Sequence, residues 1–155
     1  MSAQKDIKII YASTSGNVEF ACETIANLLN EAGYQATLHR AENTPIELLL
    51  ENNLFLLASS TWEHGEVNPF FNKLLKEMKE ADLSGKRALL LGLGDMRYEP
   101  VLFNLGIEIV KDRFVESGGE IVKPALKLNG EPYHQVDTMI KPWVNKIIEK
   151  LQNEG

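Results

Sequence analysis

Ser13-Thr14-Ser15-Gly16-Asn17-Val18-Glu19 is the stretch on which the reading of this chain turns. It follows an apolar run, Ile7 to Tyr11, with the pattern of a buried strand. It precedes a helical periodicity that runs from Val18 to about Ala32. A strand-to-helix turn built of hydroxyls, Gly and Asn is a potential anion cradle. Small side chains let backbone N–H groups point inward, and the helix start adds the positive end of its dipole. No Lys or Arg lies between Lys8 and Arg40, so an anion here is expected to rest on N–H and O–H groups alone. Taken by itself, the same turn reads equally well as a helix start capped by Ser15 or Asn17.

Outward from that turn, Val18, Cys22, Ile25, Leu29 and Ala32 form the inner face of the first helix, and Gly33 stops it. Tyr34 to His39 reads as a second strand near an edge, and Asn43 to Leu50 as a short helix with Pro45 at its first position. Leu54 to Ala58 is continuously apolar, as a parallel strand covered on both faces must be. A polar loop, Ser59 to Asn68, leads to a helix that turns Phe70, Phe71, Leu74, Leu75 and Met78 inward. Arg87 to Leu91 is a fourth strand, and Leu93 to Pro100 its exit loop. Phe103, Ile107, Val110 and Phe114 mark the next helix, closed at Gly118-Gly119. Glu120 to Leu128, interrupted by Pro124, is a fifth strand. The last helix buries Val136, Ile140, Trp143 or Val144, Ile147 and Leu151, and Pro142 predicts a kink or a helix start near Lys141.

Strands alternating with helices predict an α/β fold, a doubly wound five-stranded parallel sheet of order 2-1-3-4-5, in one domain over residues 1–155. In that order the ligand crevice opens between strands one and three, where the loops after strands one, three and four converge.

Composition narrows the partners. A net charge of −6 leaves no basic field to displace phosphate counterions, so nucleic acid is not an expected partner. The same charge permits an acidic docking face. The single cysteine, Cys22, excludes an internal disulfide or a thiolate metal cluster and is expected to be a small core residue. The first apolar run is too short for a signal peptide and no run approaches a membrane span, so a cytoplasmic protein without membrane contact is expected.

Two further loops sharpen the site. Ser59-Ser60-Thr61-Trp62-Glu63-His64-Gly65-Glu66 places a Trp among polar residues, and Gly92-Leu93-Gly94-Asp95-Met96-Arg97-Tyr98-Glu99 places two glycines ahead of Tyr98. Singly these are a surface Trp and a turn. Together with an anion nest, two aromatics point to a flat ring system with a phosphate tail. The three motifs, in this order and spacing, resemble the flavodoxins, and the strand–helix pattern matches across nearly the whole chain. The short passage through strand five resembles the short-chain type.

The resemblance implies FMN held non-covalently. Its phosphate would rest on Ser13, Thr14, Ser15, Gly16, Asn17 and Val18, and its ring between Trp62 and Tyr98. Ser60, Thr61, Glu63, His64, Gly65, Leu93, Gly94, Asp95 and Leu102 complete the implied cofactor site, with Asp95 at the pyrimidine end of the ring. The implied function is a low-potential one-electron carrier, not an enzyme, with no catalytic residue and no metal. It would dock transiently on redox proteins through an acidic face, as a monomer. Glu63, Glu66, Asp95 and Glu99 near the ring would lower its potential.

The chain also departs from the family pattern. Val18 stands where Thr is usual, a loss of about 1 kcal/mol if one hydroxyl contact disappears. Glu63 stands where many members carry Gly, which makes a backbone turn toward the flavin cost about 1 kcal/mol or more. Pro100 replaces an often aromatic position. His64 lies near the implied ring and can titrate near neutral pH, whereas His39 and His134 are expected at the surface. Two other readings stay open: an FMN-dependent reductase of quinones or similar small molecules, and a module of this fold that has lost FMN. A tyrosine phosphatase would need Arg where Leu28 stands, six positions after Cys22, and a receiver domain would need acidic residues after strand one.

Overall fold

The computed structural model describes residues 5–14, 16–61, 67–94 and 105–154. The elements run β1 (Asp6–Ala12), α1 (Asn17–Glu31), β2 (Gln35–Arg40), α2 (Ile46–Leu50), β3 (Leu54–Ser60), α3 (Asn72–Met78), β4 (Arg87–Gly94), α4 (Leu105–Glu116), β5 (Glu120–Ile121), β6 (Leu126–Asn129) and α5 (Lys141–Glu154). The strands pair in parallel in the order β2-β1-β3-β4-β5, and β6 also pairs with β4. This is the predicted doubly wound sheet, with its fifth strand in two pieces. β5 pairs with Arg87 and Ala88, β6 with Leu91 to Gly94, and the break contains the cis Lys123–Pro124 bond. Pro124 has no N–H to give to a ladder.

Alternation within each strand divides the core into two layers. Ile7, Ile9 and Tyr11 of β1 join Leu54, Leu56 and Ala58 of β3 beneath α1 and α5. Ile10 and Ala12 join Phe55 and Leu57 on the opposite face, beneath α3 and α4. Both faces of the sheet are dry, which is why β3 and β4 read as unbroken apolar runs.

Several sequence expectations shift at element ends. Ala32 is exposed, because α1 closes in a Schellman arrangement. Gly33, at φ +97, donates to the Asn30 carbonyl, and the Tyr34 N–H donates to that of Leu29. Pro45 is the N-cap of α2, one position before the expected one. Phe70 is 40 % exposed, since Pro69–Phe71 is a 3-10 turn whose rotation differs from that of α3. At the C-terminal end, Val136–Ile140 is π-helical and α5 starts at Lys141, the late start that Pro142 predicts. Trp143 and Val144 are both buried, and the Trp143 Nε1–H donates to the Pro124 carbonyl at 2.7 Å. Phe103 lies outside the described residues. Among the described residues no helix is long and apolar enough to cross a membrane.

Candidate cofactor site

Ser13, buried at the end of β1, organises the first loop. Its Oγ accepts the N–H of Gly16 at 3.2 Å and of Glu19 at 3.4 Å. Gly16 is the N-cap of α1, at φ +91, and has no side-chain cap bond. The helix start is therefore served by a hydroxyl from the strand end and not by a cap from Asn17, while Ser15 lies outside the described residues. The left-handed conformation at Gly16 explains the glycine, since an L side chain there is strained. Asn17 opens α1 and its Oδ1 accepts from the Tyr133 hydroxyl at 3.1 Å. The N–H groups of Asn17 and Val18 belong to the first turn and have no carbonyl partner within the helix. The Val18 side chain is buried in the α1 core layer, so only its backbone faces the loop.

Three loop bases meet at the C-terminal edge of the sheet. Ala12 pairs with Ser59 and Ser60 with Leu93, which aligns the ends of β1, β3 and β4. Asn68, fully buried, joins the first two loops: its Nδ2 donates to Thr14 Oγ1 at 3.1 Å and to Ser60 Oγ at 3.2 Å. Its Oδ1 accepts the Phe70 N–H at 3.0 Å. The Thr61 N–H donates to the Leu93 carbonyl at 2.8 Å, and an antiparallel bridge from Thr61 to Val67 closes the base of the 62–66 loop. Thr61 Oγ1 accepts the Gly106 N–H at 2.9 Å, which fixes α4 against the same point. Gly94 accepts from the Gly130 N–H at 2.7 Å. The structure thus brings together Ser13, Thr14, Gly16, Asn17, Val18, Ser60, Thr61, Leu93 and Gly94. Trp62, Glu63, His64, Gly65, Asp95, Tyr98 and Leu102, with Glu66, Glu99 and Pro100, lie outside the described residues.

A charge network flanks the first loop. The Tyr11 hydroxyl donates to Glu19 Oε2 at 2.6 Å. Burial, and then the Glu19 carboxylate, push the Tyr11 phenol up to about 12. Arg40 Nη1 lies 3.5 Å from Glu19, its Nε donates to Glu42 at 2.8 Å, and its Nη2 donates to the Ser13 carbonyl at 2.9 Å. The hydrogen bond to Glu42 leads in holding the guanidinium above its ordinary value.

Sequence reading missed Arg40, Asn68 and Tyr133 as parts of this site. Arg40 was within reach: the order 2-1-3 sets the end of β2 beside that of β1, where Tyr11 pairs with Arg40. Asn68 precedes Pro69, a cap signal, but nothing in the sequence places its amide on Thr14. His39 is half-buried, with its Nε2 2.9 Å from Thr37 Oγ1, and burial followed by the Lys8 charge lowers its pKa. His134 is exposed, and Cys22 is fully buried, as expected of both.

The loop fits a phosphate by its chemistry. Residues 13–18 offer hydroxyls and N–H groups and no carboxylate, and the next residue in the chain, Glu19, turns its carboxylate to Tyr11 and Arg40. Such a nest at the β1/β3 switch point of a doubly wound sheet defines a mononucleotide-binding class.

Comparison with known proteins carries this one step further. Residues 9–143 match the flavodoxin family model. The flavodoxin of Nitratidesulfovibrio vulgaris is 30 % identical over 151 residues, covering 94 % of this chain and 99 % of that protein. The crystal structure of oxidised flavodoxin 2 from Bacillus cereus superposes with a TM-score of 0.85 at 31 % identity, over 94 % of this chain and 99 % of that one. The Fusobacterium nucleatum flavodoxin bound to flavin mononucleotide shares the fold, with a TM-score of 0.80 at 22 % identity over 94 % and 98 % of the two chains. The chain belongs to the flavodoxin family. It is of the short-chain type, with only residues 122–125 between β5 and β6, and membership makes it an FMN-binding electron carrier.

Proposed function

We propose that the crevice at the ends of β1, β3 and β4 is the FMN site of a low-potential carrier that passes single electrons between redox proteins. The observation that carries this reading is the carboxylate-free loop of residues 13–18, rich in hydroxyls and N–H groups and coupled by the Asn68 amide to the base of the loop after β3. Ser13, Thr14, Ser15, Gly16, Asn17 and Val18 hold the phosphate through hydroxyls and N–H groups. Trp62 and Tyr98 cover the ring faces, with Ser60, Thr61, Glu63, His64, Gly65, Leu93, Gly94, Asp95 and Leu102 around them. FMN, when bound, supplies the redox chemistry, and the protein binds, orients and tunes it.

The chain's own contribution is positional and electrostatic. Thr61, bonded to Leu93 and Gly106, ties the end of β3 to the end of β4 and the start of α4. Glu63, Glu66, Asp95 and Glu99 place negative charge near the ring and disfavour its reduced anion. Residues 1–155 form one domain, cytoplasmic and monomeric. It catalyses no substrate conversion of its own, does not bind membranes, and meets its partners transiently through an acidic face consistent with the net charge of −6.

Titration of the apo-protein with FMN, followed by tryptophan fluorescence, tests the reading. A saturable quench and a yellow complex are expected. A colourless protein indifferent to FMN would overturn it, and NADPH oxidation coupled to quinone by the protein alone would favour the reductase instead.

A further inference from the structure

We propose that Arg40 is a positioning residue for the phosphate end of the cofactor, one that aims a loop N–H into the crevice and keeps an acidic first turn compatible with a bound dianion. The inference rests on the reading that this loop takes the FMN phosphate.

The geometry begins with one peptide. Arg40 Nη2 holds the Ser13 carbonyl at 2.9 Å from the end of β2, across 27 residues of chain. A trans peptide is planar, so the Thr14 N–H points opposite to that carbonyl. The Arg40 guanidinium lies over the Tyr11 ring, 5.5 Å from its centroid, and against Glu19 of α1, so this N–H turns away from that cluster. The Thr14 hydroxyl is held by Asn68, whose amide also bonds Ser60 at the end of β3. The Ser13–Thr14 peptide is thus fixed between two anchors.

Charge supplies the second part. Glu19 sits in the first turn of α1, where a phosphate would meet its repulsion. Arg40 and the Tyr11 hydroxyl engage the Glu19 carboxylate at 3.5 and 2.6 Å. Glu42 holds the guanidinium in turn, through Oε2, while its Oε1 is buried without a hydrogen-bond partner among the described residues. An isolated, half-exposed ion pair would matter little. Here three guanidinium nitrogens serve three separate acceptors, a division that the single ammonium of Lys cannot reproduce.

FMN and riboflavin differ by the phosphate alone, so the pair separates a phosphate effect from a general loss of structure. Both are titrated into the apo-protein, into Arg40→Ala and Arg40→Lys, and into Arg40→Ala combined with Glu19→Gln. Arg40→Ala is expected to bind FMN about tenfold more weakly and riboflavin within about twofold of the unmodified chain. Arg40→Lys should lose about threefold toward FMN, and Glu19→Gln should restore part of the Arg40→Ala loss. Unchanged FMN affinity, or equal losses toward both ligands, would overturn the inference. If Arg40→Ala does not fold, Arg40→Lys decides, and FMN affinity equal to that of the unmodified chain overturns it. An unmodified chain that gains nothing from the phosphate would instead overturn the placement of FMN, and the role of Arg40 with it.

Discussion

Asn68 Nδ2 donates to Thr14 Oγ1 at 3.1 Å across 54 residues of chain, which joins the loop after β1 to the exit of β3 through one buried amide. The second Nδ2 hydrogen goes to Ser60 and the carbonyl oxygen to the Phe70 N–H. Every polar group of the side chain has a partner, the condition under which a buried amide specifies geometry without penalty. The ends of β1 and β3 are therefore tied together through one side chain.

Asn68→Ala should lower stability by roughly 2–3 kcal/mol, since it leaves the Phe70 N–H uncapped and two hydroxyls without a donor. Asn68→Asp keeps the cap at Phe70 but cannot donate to Thr14 or Ser60 when ionised. It should therefore retain part of the stability while losing FMN affinity. Urea unfolding of the apo-protein and FMN titration of both variants check the split. Equal behaviour of the two variants would contradict it.

Gly106→Ala tests the other hinge of the crevice. A Cβ there would lie 2.8 Å from the Ser60 carbonyl and 3.1 Å from Thr61 Cα, both backbone atoms that cannot swing aside. α4 must shift away from β3 and strain the 2.9 Å bond from the Gly106 N–H to Thr61. A loss of about 1–3 kcal/mol is expected in thermal or urea unfolding, with weaker FMN binding. Stability within error of the unmodified chain would show that the packing at this point is looser than described.

The fold was legible because its evidence is periodic. Continuous apolar strands and helices with a 3–4 repeat fixed the sheet order before any contact was known. The switch point then set where a ligand crevice is expected. Element ends were less legible, and each for a local reason. Ala32 falls on the helical stripe of Val18, Cys22, Ile25 and Leu29, yet the turn at Gly33 carries it into solvent. Phe70 matches the α3 stripe in spacing and sits in a 3-10 turn instead. The hydroxyl pattern made the loop a candidate anion nest, but did not reveal that Ser13 would serve the helix start in place of Asn17. Arg40, Asn68 and Tyr133 reach the loop from 27 to 116 residues away, and such contacts exist only once the sheet has set the strand ends side by side.

Cys22 should be inert in the folded protein. It is fully buried on the α1 face, and burial raises its thiol far above the ordinary range, so the nucleophilic thiolate is suppressed. A thiol reagent applied to the native protein should label it only as fast as the chain opens, and promptly in denaturant. Cys22→Ser should cost roughly 1–3 kcal/mol by placing a hydroxyl in an apolar layer. Rapid native labelling would show that the α1 layer opens locally.

Tyr11 sets a limit on alkaline stability. Its phenol is pushed from 10.0 to about 12, first by burial and then by the hydrogen bond to Glu19. The folded chain thus keeps this proton at pH values where the unfolded chain has lost it. The corresponding stabilisation, about 2–3 kcal/mol, is complete below pH about 10 and is lost as pH rises toward about 12. Tyr11→Phe should remove that dependence, leaving the weaker contribution of Tyr34, whose pKa is also raised by burial. Because burial is the larger cause, Glu19→Gln should narrow the alkaline window without closing it. Urea unfolding at a series of alkaline pH values distinguishes the three chains. Were Glu19→Gln to abolish the dependence as fully as Tyr11→Phe, the carboxylate and not burial would hold the proton, and the order of causes would be reversed.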